Sequence, residues 1–174
     1  SFQQYIKELK DRGVTLAVCS KNDFENAKEG FDHHDSILKF DDFTSFKANW
    51  TDKPKNILDI AKEINIDLNS LVFIDDNPAE RDIVLSQTPS VSGPDIGRDI
   101  ADFIKYIDRN GYFEPITLSN DDINRGKYYK ENKKRLTEQI TFKSYDDFLV
   151  SLNMTAEIKN FSPIYLDRIA QLTN

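Results

Sequence analysis

The chain has 174 residues, a length that suits one domain of typical size and at most part of a second. Thirty acidic residues against 23 basic ones give a formal charge of −7, and no basic stripe interleaves with aromatic residues, so nucleic acid is excluded as a general partner. A single cysteine, the lack of any apolar run near the roughly 18 residues of a membrane helix, and the lack of a signal-peptide pattern predict a cytoplasmic protein with no membrane partner.

The first 110 residues alternate between helical and strand patterns. In chain order, apolar spacing predicts a helix over 2–9, a buried strand over 14–19, a helix over 24–29, a helix from Lys53 or Pro54 to Ile64, a buried strand over 71–74, and helices over 78–85 and 96–108. Gly13 stands where a helix end favours glycine. This alternation predicts an α/β fold with a Rossmann-like, doubly wound parallel sheet.

The pattern changes beyond Gly111. Residues 121–139 are polar and highly charged, which suits an exposed helix, and a short helix is predicted over 145–152. Residues 155–161 alternate like a strand, and Ser162-Pro163 reads as the start of a last helix. We therefore expect an α/β domain over 1–110, a charged helical connector over 111–154, and the start of a second α/β domain over 155–174.

Two adjacent carboxylates, Asp75 and Asp76, directly follow the apolar run 71–74. Neighbouring carboxylates repel each other, and a partly buried pair shifts toward protonation unless a cation neutralises it. Open α/β sheets bind ligands at the carboxyl ends of their strands, and Mg²⁺ prefers carboxylate oxygens. The pair therefore suits a metal site, although a turn followed by a helix cap explains the same pattern.

Ser20, at the end of the first predicted strand, and Lys53, at the start of a helix, can meet the carboxylates at one sheet edge. A hydroxyl followed by backbone amides that turn into a helix can hold phosphate, and a lysine adds positive charge. This set describes phosphoryl transfer, which depends mainly on positioning and charge neutralisation. Lys21, Asn22 and Arg81 are further candidates for contacting a phosphorylated substrate. Taken singly, each of these residues also suits a turn or an exposed surface.

Two other groups are assigned structural roles. His33 and His34, flanked by Asp32 and Asp35, suggest a metal cluster, but adjacent side chains are expected to diverge, so a solvated loop is predicted. Cys19 lies within a strand pattern, with no base evident nearby, and is predicted to be a small core residue.

Three motifs carry a resemblance to a known family. Val18–Asp23 (VCSKND), Trp50–Ile57 (WTDKPKNI) and Val72–Arg81 (VFIDDNPAER) resemble the second, third and fourth motifs of the haloacid dehalogenase superfamily, and more narrowly its FkbH-like branch. The resemblance covers about residues 1–110. It implies that Ser20 binds the phosphoryl group, that Lys53 stabilises the nucleophile and phosphate, and that Asp75 with Asp76 holds Mg²⁺.

The branch includes phosphatases and enzymes that move a glyceryl unit from a phosphorylated three-carbon acid to an acyl carrier protein. The implied partners are therefore a phosphorylated small molecule and an acyl carrier protein, and the segment from Thr155 resembles the opening of an acetyltransferase-like domain. The superfamily's nucleophile is the first aspartate of an Asp-x-Asp motif, which no apolar strand upstream of Ser20 provides. We expect that motif in a preceding segment. A non-catalytic platform for a carrier protein or phospholigand is the alternative.

Two other phosphate-handling families fit less well. A response-regulator receiver also combines an acidic pair, a hydroxyl and a lysine, but in an order that differs from the order in this chain. The chain also contains no G-x-x-x-x-G-K-S/T sequence of a nucleotide kinase.

Overall fold

The computed structural model describes residues 1–114, 120–139, 142, 144–158, 163–166 and 169–170. The chain divides into two compact units, Ser1–Arg135 and Leu136–Asn174. No helix in the described ranges has both the length and the apolar character that crossing a membrane requires.

The first unit contains two strands and several helices. In chain order its elements are α1 (Phe2–Asp11), β1 (Leu16–Ser20), α2 (Phe24–Asp32), β2 (Phe43–Ala48), α3 (Lys53–Ile64), α4 (Pro78–Gln87) and α5 (Phe103–Asp108). Helix α6 (Asn120–Gln139) begins in this unit and ends beyond its boundary at Arg135. The predicted helices that correspond to α1 to α4 and the strand that corresponds to β1 are confirmed. Strand β2 has no counterpart among the predicted elements.

Strands β1 and β2 pair in parallel, from Leu16 opposite Phe43 to Ser20 opposite Ala48. Their carboxyl ends therefore lie side by side. The α/β fold with a parallel sheet is confirmed, although the regular sheet has two strands within the described residues.

The apolar segment 71–74 is extended, but its pairing is shorter than predicted. It forms one parallel bridge, Val72 with Ser92, in which the Phe73 amide donates to the Ser92 carbonyl at 2.7 Å. Phe73 is buried and packs in a core cluster with Ile57, Val84 and Val91. The prediction of a strand buried on both faces is wrong, because the other three residues of the segment are only partly buried.

The helix predicted over 96–108 begins later than expected. Gly97 has a φ of +71°, which breaks a helix, and the Asp99 side chain accepts the Ala101 amide at 2.9 Å. A 3₁₀ turn over Ile100–Asp102 then leads into α5. Ile100 is consequently exposed, whereas Phe103 and Ile107 are buried in a second core cluster with Ile96.

The buried carboxylate of Asp42 joins α1 to the turn before β2. The Asp42 carboxylate lies 2.6 Å from Lys7 Nζ and 3.0 Å from Lys10 Nζ, and it accepts the Lys39 amide at 2.9 Å. Burial alone would raise the pKa of Asp42, but these hydrogen bonds and charges lower it to about 2.

The second unit contains α7 (Tyr145–Ser151), as predicted, with the Ser144 hydroxyl accepting the Asp147 amide at 3.1 Å. The predicted strand is not formed over 155–158, where Ile158 is 97% exposed, and residues 159–161 lie outside the described ranges. A hydrophobic alternation does not make a strand where no neighbouring edge pairs with it. The predicted last helix begins as a 3₁₀ turn, Pro163–Tyr165, and the described residues that follow, Leu166, Ile169 and Ala170, are helical. The division at residues 110 and 154 stays a prediction.

Candidate functional site

A buried ion pair forms the centre of the candidate site. Lys53 Nζ lies 2.5 Å from Asp75 Oδ2, and the two side chains are 11% and 8% exposed. Lys53 is the first residue of α3, and Asp75 directly follows the extended segment 71–74. The ammonium group also lies 5.9 Å from the centre of the Phe73 ring. Two residues 22 positions apart in the chain are thus brought together, as the sequence predicts.

Hydrogen bonds hold the start of α3 against the end of β1. The Asn49 amide donates to the Ser20 carbonyl at 3.1 Å, and the Cys19 thiol donates to the Lys53 carbonyl at 3.7 Å. Asn49 Oδ1 accepts Asn56 Nδ2 at 2.9 Å. Ser20 therefore lies at the same sheet edge as Lys53. Sequence reasoning did not assign the two asparagines, although Asn56 belongs to the WTDKPKNI motif.

The backbone after Asp75 turns directly into α4. Asp75 Oδ1 accepts the Asn77 amide at 2.9 Å, and Asn77 Oδ1 in turn caps α4 by accepting the Ala79 amide at 3.0 Å. Arg81 donates to the Asp75 carbonyl at 3.2 Å and to Asp95 Oδ1 at 2.9 Å. Because Arg81 is buried and its guanidinium makes these contacts, it holds the main chain at Asp75 in place.

The remaining predicted site residues lie in the loop after β1. Lys21 Nζ is 3.0 Å from Glu80 Oε1, and Asn22 Oδ1 accepts the Asp23 amide at 2.8 Å. Trp50 is 71% exposed and donates its indole N–H to Asp23 Oδ1 at 3.1 Å, which links this loop to the one after β2. Sequence reasoning missed Glu80 and Trp50 because both depend on contacts between distant segments.

The carboxylates at this edge suit a hard divalent cation. Asp75 is buried and already balanced by a positive charge, while its neighbour Asp76 is exposed to solvent. A buried carboxylate with an exposed one beside it offers oxygen ligands and leaves room for water, which is how Mg²⁺ is usually bound. Asp75 and Asp76 are the residues that could hold such an ion.

The thiol of Cys19 lies next to this site but is not activated. Burial raises the pKa of Cys19 to about 11, although the Lys53 charge acts in the opposite direction. Cys19 packs against the first core cluster, in agreement with the predicted structural role. A thiol with so high a pKa is a poor nucleophile near neutral pH.

A cavity of about 810 Å³ lies beside the site. Its lining includes one edge of β1 and the segment 71–74, together with apolar side chains of α1 such as Phe2 and Ile6. Within the described residues, β1 pairs only with β2, and segment 71–74 pairs only with Ser92. The hydroxyl of Thr15, which also lines the cavity, is buried and has no hydrogen-bond partner within the described residues.

The family model of haloacid dehalogenase-like hydrolases matches residues 1–92, more than half of the chain. The chain belongs to this family. It is also similar, at 42% identity and a TM-score of 0.65, to the N-terminal part of the protein BF1531 from Bacteroides fragilis, described as containing a phosphatase domain complexed with Mg. That match covers 67% of this chain and 31% of the other. No curated protein matches the chain significantly.

These comparisons confirm the resemblance at the level of the superfamily and of its α/β fold. The chain therefore is a haloacid dehalogenase-like hydrolase whose Lys53–Asp75 pair stands at the carboxyl edge of parallel strands. Because the chain spans less than a third of the solved relative, that relative's activity and metal are properties of the longer protein. The FkbH-like branch stays a prediction.

Proposed function

We propose that this haloacid dehalogenase-like hydrolase is a Mg²⁺-dependent phosphatase or phosphotransferase. The observation that carries the proposal is the buried Lys53–Asp75 pair, 2.5 Å apart, at the edge where Ser20 ends β1. A phosphoryl group placed there would meet a hydroxyl, an ammonium group and backbone amides, which together offset its negative charge.

Each site residue has a separate role in this proposal. Ser20 and the amides that follow it bind the phosphoryl oxygens, and Lys53 neutralises charge on both the phosphate and the attacking carboxylate. Asp75 and Asp76 would hold Mg²⁺, which supplies positive charge to the phosphate oxygens when bound. The solved relative, described as complexed with Mg, supports the choice of metal.

The nucleophile is proposed to come from a segment outside these 174 residues. A strand placed in the 810 Å³ cavity would pair with β1 on one side and with segment 71–74 on the other. An Asp-x-Asp motif at its carboxyl end would then emerge between Ser20 and Asp75. The first aspartate would attack phosphorus to form an aspartyl-phosphate, and the second would protonate the leaving alkoxide so that it departs as the alcohol. Water would then hydrolyse the aspartyl-phosphate and release phosphate.

The physiological substrate is proposed to be a phosphorylated glycerate, with an acyl carrier protein as the acceptor of the glyceryl unit. The support is the FkbH-like motif set. Lys21, Asn22 and Arg81 were predicted to contact such a substrate. Lys21 is paired with Glu80, and Arg81 is paired with Asp95. Either residue would therefore have to leave its carboxylate partner to contact a substrate.

The alternative is a platform that binds a carrier protein or phospholigand without turnover. Both functions would use Ser20 and Lys53, so a measurement of phosphate binding does not distinguish them. Turnover of a substrate by the complete polypeptide distinguishes them, because only the enzyme needs an attacking carboxylate.

The test is a steady-state assay of the complete polypeptide with Mg²⁺. Phosphoglycerates, simple phosphomonoesters and a carrier protein are the substrates. Lys53→Ala is expected to lower kcat/KM by about a hundredfold or more, whereas Lys55→Ala, an exposed lysine on the same helix, is expected to have little effect. Turnover of simple esters alone would reject glyceryl transfer, and equal activity of Lys53→Ala and parent would reject the site.

A further inference from the structure

Three side chains with metal-binding atoms meet in the loop after α2. The ring centres of His33 and His34 are 4.4 Å apart, and His34 Nε2 lies 3.1 Å from Asp35 Oδ1. His33 Nδ1 is 3.8 Å from Asp35 Oδ2, and one ligand atom from each residue lies within 4.8 Å of the others. The prediction that the adjacent histidines diverge is therefore wrong. The turn, closed by the Ser36 amide on the His33 carbonyl at 3.1 Å, brings them together.

We infer that His33, His34 and Asp35 form a second metal site, which takes a borderline divalent transition ion such as Zn²⁺. Two imidazoles and one carboxylate are the ligand types that Zn²⁺ prefers, whereas Mg²⁺ prefers oxygen ligands alone. Zn²⁺ bonds of about 2.0–2.2 Å would require the three exposed side chains to rotate so that their ligand atoms surround the ion. Water completes the coordination.

The groups around the loop favour a cation on balance. Glu29 lines the same surface depression as His33 and Asp35, and Asp32 immediately precedes the loop. Lys39 is the opposing charge, but its ammonium group donates to the His33 carbonyl at 2.8 Å. Binding also replaces the hydrogen bond from the Asp35 amide to His33 Nδ1, which is long at 3.3 Å.

This site is distinct from the Asp75 site. Helix α2 starts just after the carboxyl end of β1 and runs for nine residues, so the loop lies about 14 Å along the helix from that edge. The turn that follows is tied to α1, because Gln3 Oε1 accepts the Ile37 amide at 2.8 Å and the Ser36 hydroxyl at 3.1 Å. A bound ion would therefore stabilise the end of α2 beside α1.

The experiment is a Zn²⁺ titration of the complete, untagged protein by calorimetry, with a large excess of Mg²⁺ present. One equivalent is expected to bind, and His33→Gln/His34→Gln is expected to weaken its affinity by about a hundredfold or more. Asp32→Asn, which removes a neighbouring carboxylate outside the ligand set, is the control and should weaken binding far less than the loss of both histidines. These residues are exposed, so unchanged circular dichroism is expected for every variant.

Three results would overturn the inference. The first is equal Zn²⁺ binding by the parent and the double histidine variant, and the second is no binding by either. The third is loss of the Zn²⁺ site in Asp75→Asn/Asp76→Asn, which would place the ion at the phosphoryl-transfer edge. Intense visible bands after Co²⁺ substitution, absent from the histidine variant, would support direct imidazole ligation independently of activity.

Discussion

Replacing Lys53 by methionine tests whether the ion pair at the site is buried in solution. Methionine keeps most of the side-chain volume and removes the charge, so the change leaves the Asp75 carboxylate without its partner at 2.5 Å. Asp75 retains the hydrogen bond from the Asn77 amide. The perturbation is therefore mainly the loss of charge compensation for a carboxylate that is only 8% exposed.

The burial of the Lys53–Asp75 pair sets the expected loss in the free energy of unfolding. Removing one partner of a buried pair typically lowers the free energy of unfolding by about 3–5 kcal/mol, against about 0–1 kcal/mol for an exposed pair. Because one carboxylate oxygen stays hydrogen-bonded, we expect the lower end, about 3 kcal/mol. The double variant Lys53→Met/Asp75→Asn should recover part of this loss, since it leaves neither charge buried without a partner.

Urea unfolding followed by circular dichroism measures these differences. Lys55→Met is the matched control, because Lys55 is exposed two residues further along α3 and should change the free energy of unfolding by no more than about 0.5 kcal/mol. A cost below about 1 kcal/mol for Lys53→Met, with no coupling to Asp75→Asn, would refute the buried pair.

Three further predictions concern the pH, the metal and the thiol. Burial raises the pKa of Asp42, but the Lys39 amide and two lysines lower it to about 2. Asp42→Asn should therefore lower the free energy of unfolding by about 2 kcal/mol near neutral pH, and the difference between parent and variant should shrink as the pH falls from about 4 toward 2. Urea unfolding measures this difference, and a constant value over that pH range would contradict the prediction. Millimolar Mg²⁺ should raise the melting temperature of the parent but not of Asp75→Asn, and an equal rise in both would reject the metal assignment. Because burial raises the pKa of Cys19 to about 11, a thiol reagent should label the folded chain roughly a hundredfold more slowly than the unfolded chain near pH 8; equal rates would contradict this.

The helices were predictable because their signals are local. Helix α3 combines apolar residues at helical spacing with Pro54 in its first turn, and both features lie within the segment itself. Strand β2 lacks such a signal. Its buried residues include Thr44 and Ser45, and the Ser45 hydroxyl donates to Glu63 Oε2 at 3.1 Å, so polar contacts replace the expected apolar run.

The residue types of the site were predictable, but most of their partners were not. Ser20, Lys53 and Asp75 follow from the rule that parallel strands end at one edge. The pairs Lys21–Glu80 and Arg81–Asp95 join separate elements and depend on how those elements pack. No spacing rule specifies such pairs in advance.

Several residues along the unpaired edges of β1 and segment 71–74 depart from the expected burial. Ala17 lies in the middle of β1 yet is exposed, and the apolar segment 71–74 is only partly buried. The Thr15 hydroxyl is buried without a partner within the described residues. All of these residues lie along the same 810 Å³ cavity. Each would be unusual alone, because central strands and buried hydroxyls are normally paired. A further parallel strand in the cavity would cover the apolar lining and pair both exposed edges. The same placement would bring a carboxylate to the Lys53–Asp75 edge. One additional parallel strand would therefore satisfy both the packing of the sheet and the chemistry of the site.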